Sequence, residues 1–195
     1  LKALALRRRA TDRRVVARSL CHIAQVQLAR GYFDDALDAA KEAVQIGEQI
    51  QDRWGTAKAQ MVLGQVHGAA GKHRAALAVW KQAINLAHEV GDPARRIQGV
   101  ILQAETLIAI GRWQDAAAVM LDSLDVAREI NDPVLLSGIY RVQSSISLER
   151  EALETADLDS QQAVEVARES GAQVQVALAQ LVRGCVLGTR ALTER

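Results

Sequence analysis

Residues 71–93 read GKHRAALAVWKQAINLAHEVGDP, and forty positions later residues 111–133 read GRWQDAAAVMLDSLDVAREINDP. Forty positions earlier, residues 31–53 read GYFDDALDAAKEAVQIGEQIQDR, and a further copy begins at Glu151 as EALETADLDSQQAVEVARESGAQ. A period of this length, held in frame without insertion or deletion, marks stacked supersecondary units rather than one globular core. Each unit holds two helices. The first spans roughly 14–30, 54–70, 94–110 and 134–150, and a last one spans 174–190. Gly31, Gly71 and Gly111 follow these helices, where a left-handed residue ends the helix and reverses the chain. The second spans roughly 34–50, 74–90, 115–130 and 155–170. Its inner face is small or apolar at helical spacing, as in Ala36, Ala40, Ala43 and Ile46, then Ala76, Trp80, Ala83 and Leu86. Asp92-Pro93 and Asn131-Asp132-Pro133 separate units, the aspartate capping the next helix and the proline setting its first turn.

The frame extends to both ends. Ala3, Leu6 and Asp12 stand in register with Ala43, Ile46 and Asp52, so the chain is expected to open inside a second helix and to be a fragment of a longer protein. One domain over 1–195 is therefore expected. Residues 1–12 end a preceding repeat, four repeats cover 13–52, 53–92, 93–132 and 133–172, and 173–195 supply the first helix of another. Nothing reads as strand, linker or low-complexity sequence.

Composition narrows the chemistry. Twenty-four Lys and Arg stand against 23 Asp and Glu, so the chain carries no global footprint for nucleic acid or an anionic membrane. Cys21 and Cys185 form no CxxC, which fits thiols used as small apolar residues in a reducing compartment, and a cytoplasmic location is expected. No uncharged apolar run is long enough to span a membrane, and LKALALRRR reverses the order of a secretory signal. Gly68 to Lys72 ends like a phosphate loop, but Val66 and His73 stand where glycine and Ser or Thr are needed, at a helix end. His22, His67, His73 and His88 lack metal-ligand spacing, and neither cysteine has a partnered base. Trp80 and Trp113 read as core, and the run Arg7-Arg8-Arg9 with Arg13-Arg14 as a solvated terminus. Catalytic, cofactor and metal sites are thus expected to be absent, and the chain is not expected to be an enzyme.

The repeat resembles the tetratricopeptide repeat in a forty-residue form. Small residues recur in mid first helix at Ala24, Gly64, Ala104, Ser144 and Gly184. They recur early in the second helix at Ala36, Ala76, Ala116 and Ala156, and late at Ala43, Ala83, Ser123 and Ala163. The resemblance implies an all-α fold, a right-handed superhelical solenoid of antiparallel helix pairs. Two departures stand out: Glu151 replaces the turn glycine, and Gln103, Gln143 and Arg183 occupy a usual core-leucine position. The wording is similar to repeat regions of bacterial signalling ATPases and transcription activators. It also resembles spindle-orientation adaptors, although Ile23-Ala24-Gln25 and Leu63-Gly64-Gln65 stand in place of their Leu-Gly-Asn.

The resemblance further implies that first helices line a concave, partner-binding groove. The positions carried over are Arg18, Cys21 and Gln25, then Lys58, Met61 and Gln65, then Gln98, Ile101 and Glu105, then Gly138, Arg141 and Ser145. Leu178, Leu181 and Cys185 would extend the groove. Its amides can hydrogen-bond an extended peptide, with Met61 and Ile101 as shallow apolar seats. No Lys/Asn clamp for a terminal carboxylate is present. The expected function is a protein-interaction module of a larger regulatory protein that binds a peptide segment or neighbouring domain. The alternatives are a ligand-sensing domain for a small effector or signalling peptide, with Gln103 and Gln143 lining a pocket, and a scaffold that self-associates through the ends of the solenoid.

Overall fold

The computed structural model describes residues 12–193. The residues Ala3, Leu6 and Arg7-Arg8-Arg9, on which part of the register and the basic terminus were read, lie outside that range. The described residues form ten α-helices and no strand: α1 Arg13–Ala29, α2 Phe33–Gln49, α3 Arg53–Ala69, α4 His73–Glu89, α5 Pro93–Ala109, α6 Trp113–Val119, α7 Ser123–Ile130, α8 Pro133–Glu149, α9 Leu153–Glu169 and α10 Gln173–Thr193. Three-residue turns between helices of 17 residues force neighbours to run antiparallel. The chain falls into two compact units divided between Thr106 and Leu107.

The helix starts follow the forty-residue frame through one cap. Side-chain oxygens of Asp12, Asp52, Asp92 and Asp132 accept from the amides of Arg14, Gly55, Arg95 and Val134 at 2.9, 3.0, 2.9 and 2.8 Å. Each cap satisfies an amide that the helix itself leaves unpaired. The helix ends follow a second device. Gly31, Gly71 and Gly111 turn the chain at φ 78°, 70° and 76°, and Glu151 does the same work at φ 60°. The turn of the fourth repeat is therefore regular, and α8 keeps the common length. Glutamate simply occupies the left-handed region at a conformational cost.

Cores form where small residues admit the neighbouring helix. In the first unit, Ala24 of α1 meets the alanine row Ala36, Ala40 and Ala43 of α2, with Val62 and Val66 of α3 closing the cluster. In the next pair a Cβ on Gly64 would lie 2.6 Å from the Trp80 ring, so the missing methyl is the space into which the indole packs. Trp80 is 2% exposed, and its Nε1 donates to Thr106 Oγ1 at 3.2 Å. In the second unit serines make the close approach. Ser144 Oγ and Ser137 Oγ of α8 donate to the carbonyls of Ala156 and Ala163 in α9 at 2.9 and 3.0 Å. Trp113 is only half-buried, with the Arg150 guanidinium 5.4 Å from its ring.

One second helix departs from expectation. The stretch expected as a single helix is broken between Val119 and Ser123, where Ser123 N donates to Met120 O in a tight turn at 3.0 Å. Leu121-Asp122-Ser123 stands there in place of Lys81-Gln82-Ala83, and short polar side chains compete with the helical backbone.

His67 on α3 carries a pKa lowered from the ordinary 6.5, first by burial and then by Lys72 and Lys41. The unfolded chain therefore takes up the proton more readily. Stability is full above 6.5 and falls as the pH drops below it. His67→Gln removes this dependence, so the difference in melting temperature between about pH 7.5 and about pH 5 shrinks in the variant. The turns give a second expectation. Glu151→Gly relieves the left-handed cost and raises unfolding stability by about 1 kcal/mol, whereas Gly71→Ala lowers it by a similar amount. Denaturant titration of the two variants reads both signs.

Candidate functional site

Within the first unit, α1 packs against α3, and α5 approaches α3 closely enough that a Cβ on Gly99 would sit 3.4 Å from Met61 Sδ. Three first helices thus present one face, and the candidate positions divide by depth. Arg18, Gln25 and Gln98 are exposed, and Lys58, Gln65 and Glu105 are half-buried. Cys21, Met61 and Ile101 are only 2%, 5% and 6% exposed, so they are packed seam rather than open apolar seats. Met61 belongs to the cluster with Ala76, Trp80 and Ala83. The structure also brings Cys21 and Lys58 together. Burial pushes the Cys21 thiol above its ordinary value, while the nearby Lys58 ammonium and a backbone hydrogen bond pull it partly back. This is the opposite of an activated thiolate.

In the second unit, Gly138 is buried, and Arg141 and Ser145 are half-buried on α8, with Ser145 Oγ donating to Arg141 O at 3.0 Å. On α10, Leu178 is half-buried and Leu181 and Cys185 are exposed. Arg183, at the position where a core leucine was expected, is held by Asp157 Oδ1 at 3.2 Å and Ser160 Oγ at 3.3 Å. Its partial burial is compensated by charge and hydrogen bonding. Gln103 and Gln143 are half-buried and line neither the cavity between α9 and α10 nor the one beside Gln60.

Sequence reading missed both cavities. One, of about 710 Å³, lies between α9 and α10 and is lined by Val164, Arg168, Gln180, Arg183, Gly184 and Leu187 among others. The other, of about 520 Å³, lies where the end of α2, the start of α3 and Leu86 of α4 meet. A signal was available: Gln60 and Gln180, one in the lining of each cavity, stand in register with Leu20 and Val100. Among the described residues no group of three or more His, Cys, Asp or Glu is placed to hold a metal ion, and no helix is long and apolar enough to cross a membrane.

Solved structures share this fold at low sequence identity. A Rap protein complexed with competence and sporulation factor matches at 16% identity and TM-score 0.76, over 88% of this chain and 48% of that one. A signal transduction ATPase with numerous domains, carrying a tetratricopeptide repeat sensor and coming from Pyrococcus horikoshii, matches at 14% identity and TM-score 0.78, over 95% of this chain and 29% of that one. Aspartyl phosphate phosphatase F from Bacillus subtilis matches at 16% identity and TM-score 0.64, over 91% of this chain and 50% of that one. The chain thus spans half or less of the length of these proteins. Comparison with curated proteins found no match. These likenesses establish the fold, an all-α tetratricopeptide-like helical repeat. A family model described as anaphase-promoting complex subunit 5 matches residues 8–63, 55–95 and 96–149, so successive pieces of the chain fit it from the first repeat into the fourth. The chain accordingly belongs to that helical-repeat family.

Proposed function

We propose that this chain is a non-catalytic protein-interaction module, the regulatory part of a larger cytoplasmic protein, and that it holds a peptide segment or neighbouring domain on its first-helix face. The observation that carries the reading is the depth pattern of the first unit. Polar positions Arg18, Gln25, Lys58, Gln65, Gln98 and Glu105 stand at or near the surface of three helices, above a buried seam of Cys21, Met61 and Ile101. The seam fixes the spacing of the helices. The amides and charges above it can hydrogen-bond an extended backbone in either direction, which is what recognition by shape and hydrogen bonding needs. Arg141 and Ser145 offer the same chemistry on α8 of the second unit. The four stretches 13–52, 53–92, 93–132 and 133–172 are read as copies of one unit, each supplying one such helix.

The test replaces surface and spares the seam. Arg18→Glu, Lys58→Glu, Gln65→Ala and Gln98→Ala are combined in one variant, and its fold is checked by circular dichroism. Wild type and variant then serve as parallel baits in lysate of the source cells. The reading expects a partner that the wild type retains and the folded variant loses. Identical proteins on both baits would refute the assignment of this face.

A second reading, a ligand-sensing repeat domain, is favoured by two of the structural likenesses. One solved relative was captured with competence and sporulation factor bound, and another carries its repeats as a sensor. A ligand held only by the folded chain raises its melting temperature by mass action. Thermal-shift screening against small metabolites and short peptides is expected to give a concentration-dependent rise, and a flat response across the library argues against sensing.

A further inference from the structure

Gln60 occupies a place in α3 that the first and third repeats fill with leucine and valine, Tyr140 and Gln180 standing there in the last two copies. Its register partners Leu20 and Val100 are buried in the first unit. Gln60 is nearly as buried, at 9% exposure, and its Oε1 has no hydrogen-bond partner. Most buried amide oxygens find a donor, because an unpaired one has given up its hydration for nothing. The same residue lines the cavity of about 520 Å³, together with Gly47, Glu48, Gln51, Arg53, Thr56 and Leu86. That volume falls within the range of ligand pockets, about 300–1,000 Å³. A buried amide oxygen without a donor and an opening of ligand size therefore coincide.

The lining selects the ligand. Gln60 Oε1 accepts, the Glu48 carboxylate at the exposed edge accepts and is negative, and Thr56 Oγ1, which donates to Asp52 O at 2.8 Å, keeps acceptor capacity. Arg53, the cation of the lining, is already committed to Glu89. Leu86 supplies an apolar wall. The floor is kept low by Gly47, where a Cβ would lie 2.4 Å from Thr56 Oγ1. Several acceptors, a carboxylate with no ion pair among the described residues and a short apolar wall suit a group with several N–H donors, a positive charge and an aliphatic stem.

We propose that this notch of the first unit binds an alkylammonium group, either the side chain of a lysine in a peptide or a free aliphatic amine. Gln60 Oε1 is closed to solvent in the free chain, so the amide turns to present it; the ammonium then donates to Gln60 Oε1 and to Glu48, while its stem lies on Leu86. None of the lining residues belongs to the first-helix face assigned to partner binding, so the two assignments stand or fall separately.

The experiment is a titration of the full chain, labelled with ¹⁵N, followed by NMR at about pH 7, where the ammonium is charged. The probes are n-butylammonium, the neutral n-butanol, and the peptide acetyl-Gly-Lys-Gly-amide. Saturable shifts of the Gly47, Gln51 and Thr56 amides and of the Gln60 carboxamide are expected with n-butylammonium and not with n-butanol. The peptide causing the same shifts assigns the site to lysine side chains, and the peptide causing none assigns it to free amines. Gln60→Leu, which installs the Leu20 side chain at this register, is expected to raise the melting temperature and abolish the shifts. Glu48→Gln is expected to weaken binding roughly twofold to fivefold, in keeping with one exposed ion pair. The proposal is overturned if n-butylammonium gives no saturable shifts, if n-butanol matches it, or if Gln60→Leu binds as the wild type does.

Discussion

Everything in this chain depends on how closely one helix can lie against the next, and that distance is set by residues with almost no side chain. Ala24 faces the alanine row of α2, and Gly64 lies under the ring of Trp80. The two pairs reach the same close approach by opposite means, several methyl groups in one and a single large indole over a bare Cα in the other. Alanine buries little area per residue, at roughly 25 cal/mol per Å², but it forfeits no rotamer freedom on packing. Many such positions together hold a pair of helices. The second unit adds hydrogen bonds to the same geometry, since Ser137 and Ser144 donate across the seam to main-chain carbonyls. A hydroxyl this deep is tolerated only because its acceptor is in reach.

The period made the helix pairs legible, and most ends fall within a residue or two of their sequence-read positions because aspartate caps and left-handed turns are local devices. Two features were not legible for that same reason. Glu151 lacks the chemistry of a turn glycine, yet the helices on both sides impose the left-handed conformation on it. In the third repeat, Asp122 and Ser123 looked like substitutions within a helix, and only tertiary structure shows that the helix breaks there. Local propensity and the repeat frame disagreed at both places. The frame won at the first and propensity at the second.

The candidate site was legible as a set of helix faces and not as a set of depths. Positions i, i+3 and i+7 share one side of a helix, but the side is wide, and neighbouring first helices cover part of it. Cys21, Met61 and Ile101 fall on the covered part, while Arg18, Gln25 and Gln98 fall beyond it. Helical spacing alone does not report the line between those two parts, which depends on how α1 and α3 pack.

Once a repeat has fixed the fold, its polar exceptions carry the information. Thr106 interrupts a register that places Val66, Ile146 and Val186 in buried positions, and the interruption has an internal reason, because the indole of Trp80 needs an acceptor and Thr106 Oγ1 provides it. Ser137 interrupts a register shared with Ala57 and Ile97, and the carbonyl of Ala163 accounts for it. Arg183 stands in register with Ile23 and Leu63, and with Gln103 and Gln143, and is matched by Asp157 and Ser160. Gln60 is buried at a register shared with Leu20 and Val100, and its oxygen meets no donor among the described residues. Its cavity is open, whereas Thr106, Ser137 and Arg183 are each balanced by a partner inside their own unit. A polar group that breaks the repeat without an internal partner is best accounted for by a partner from outside.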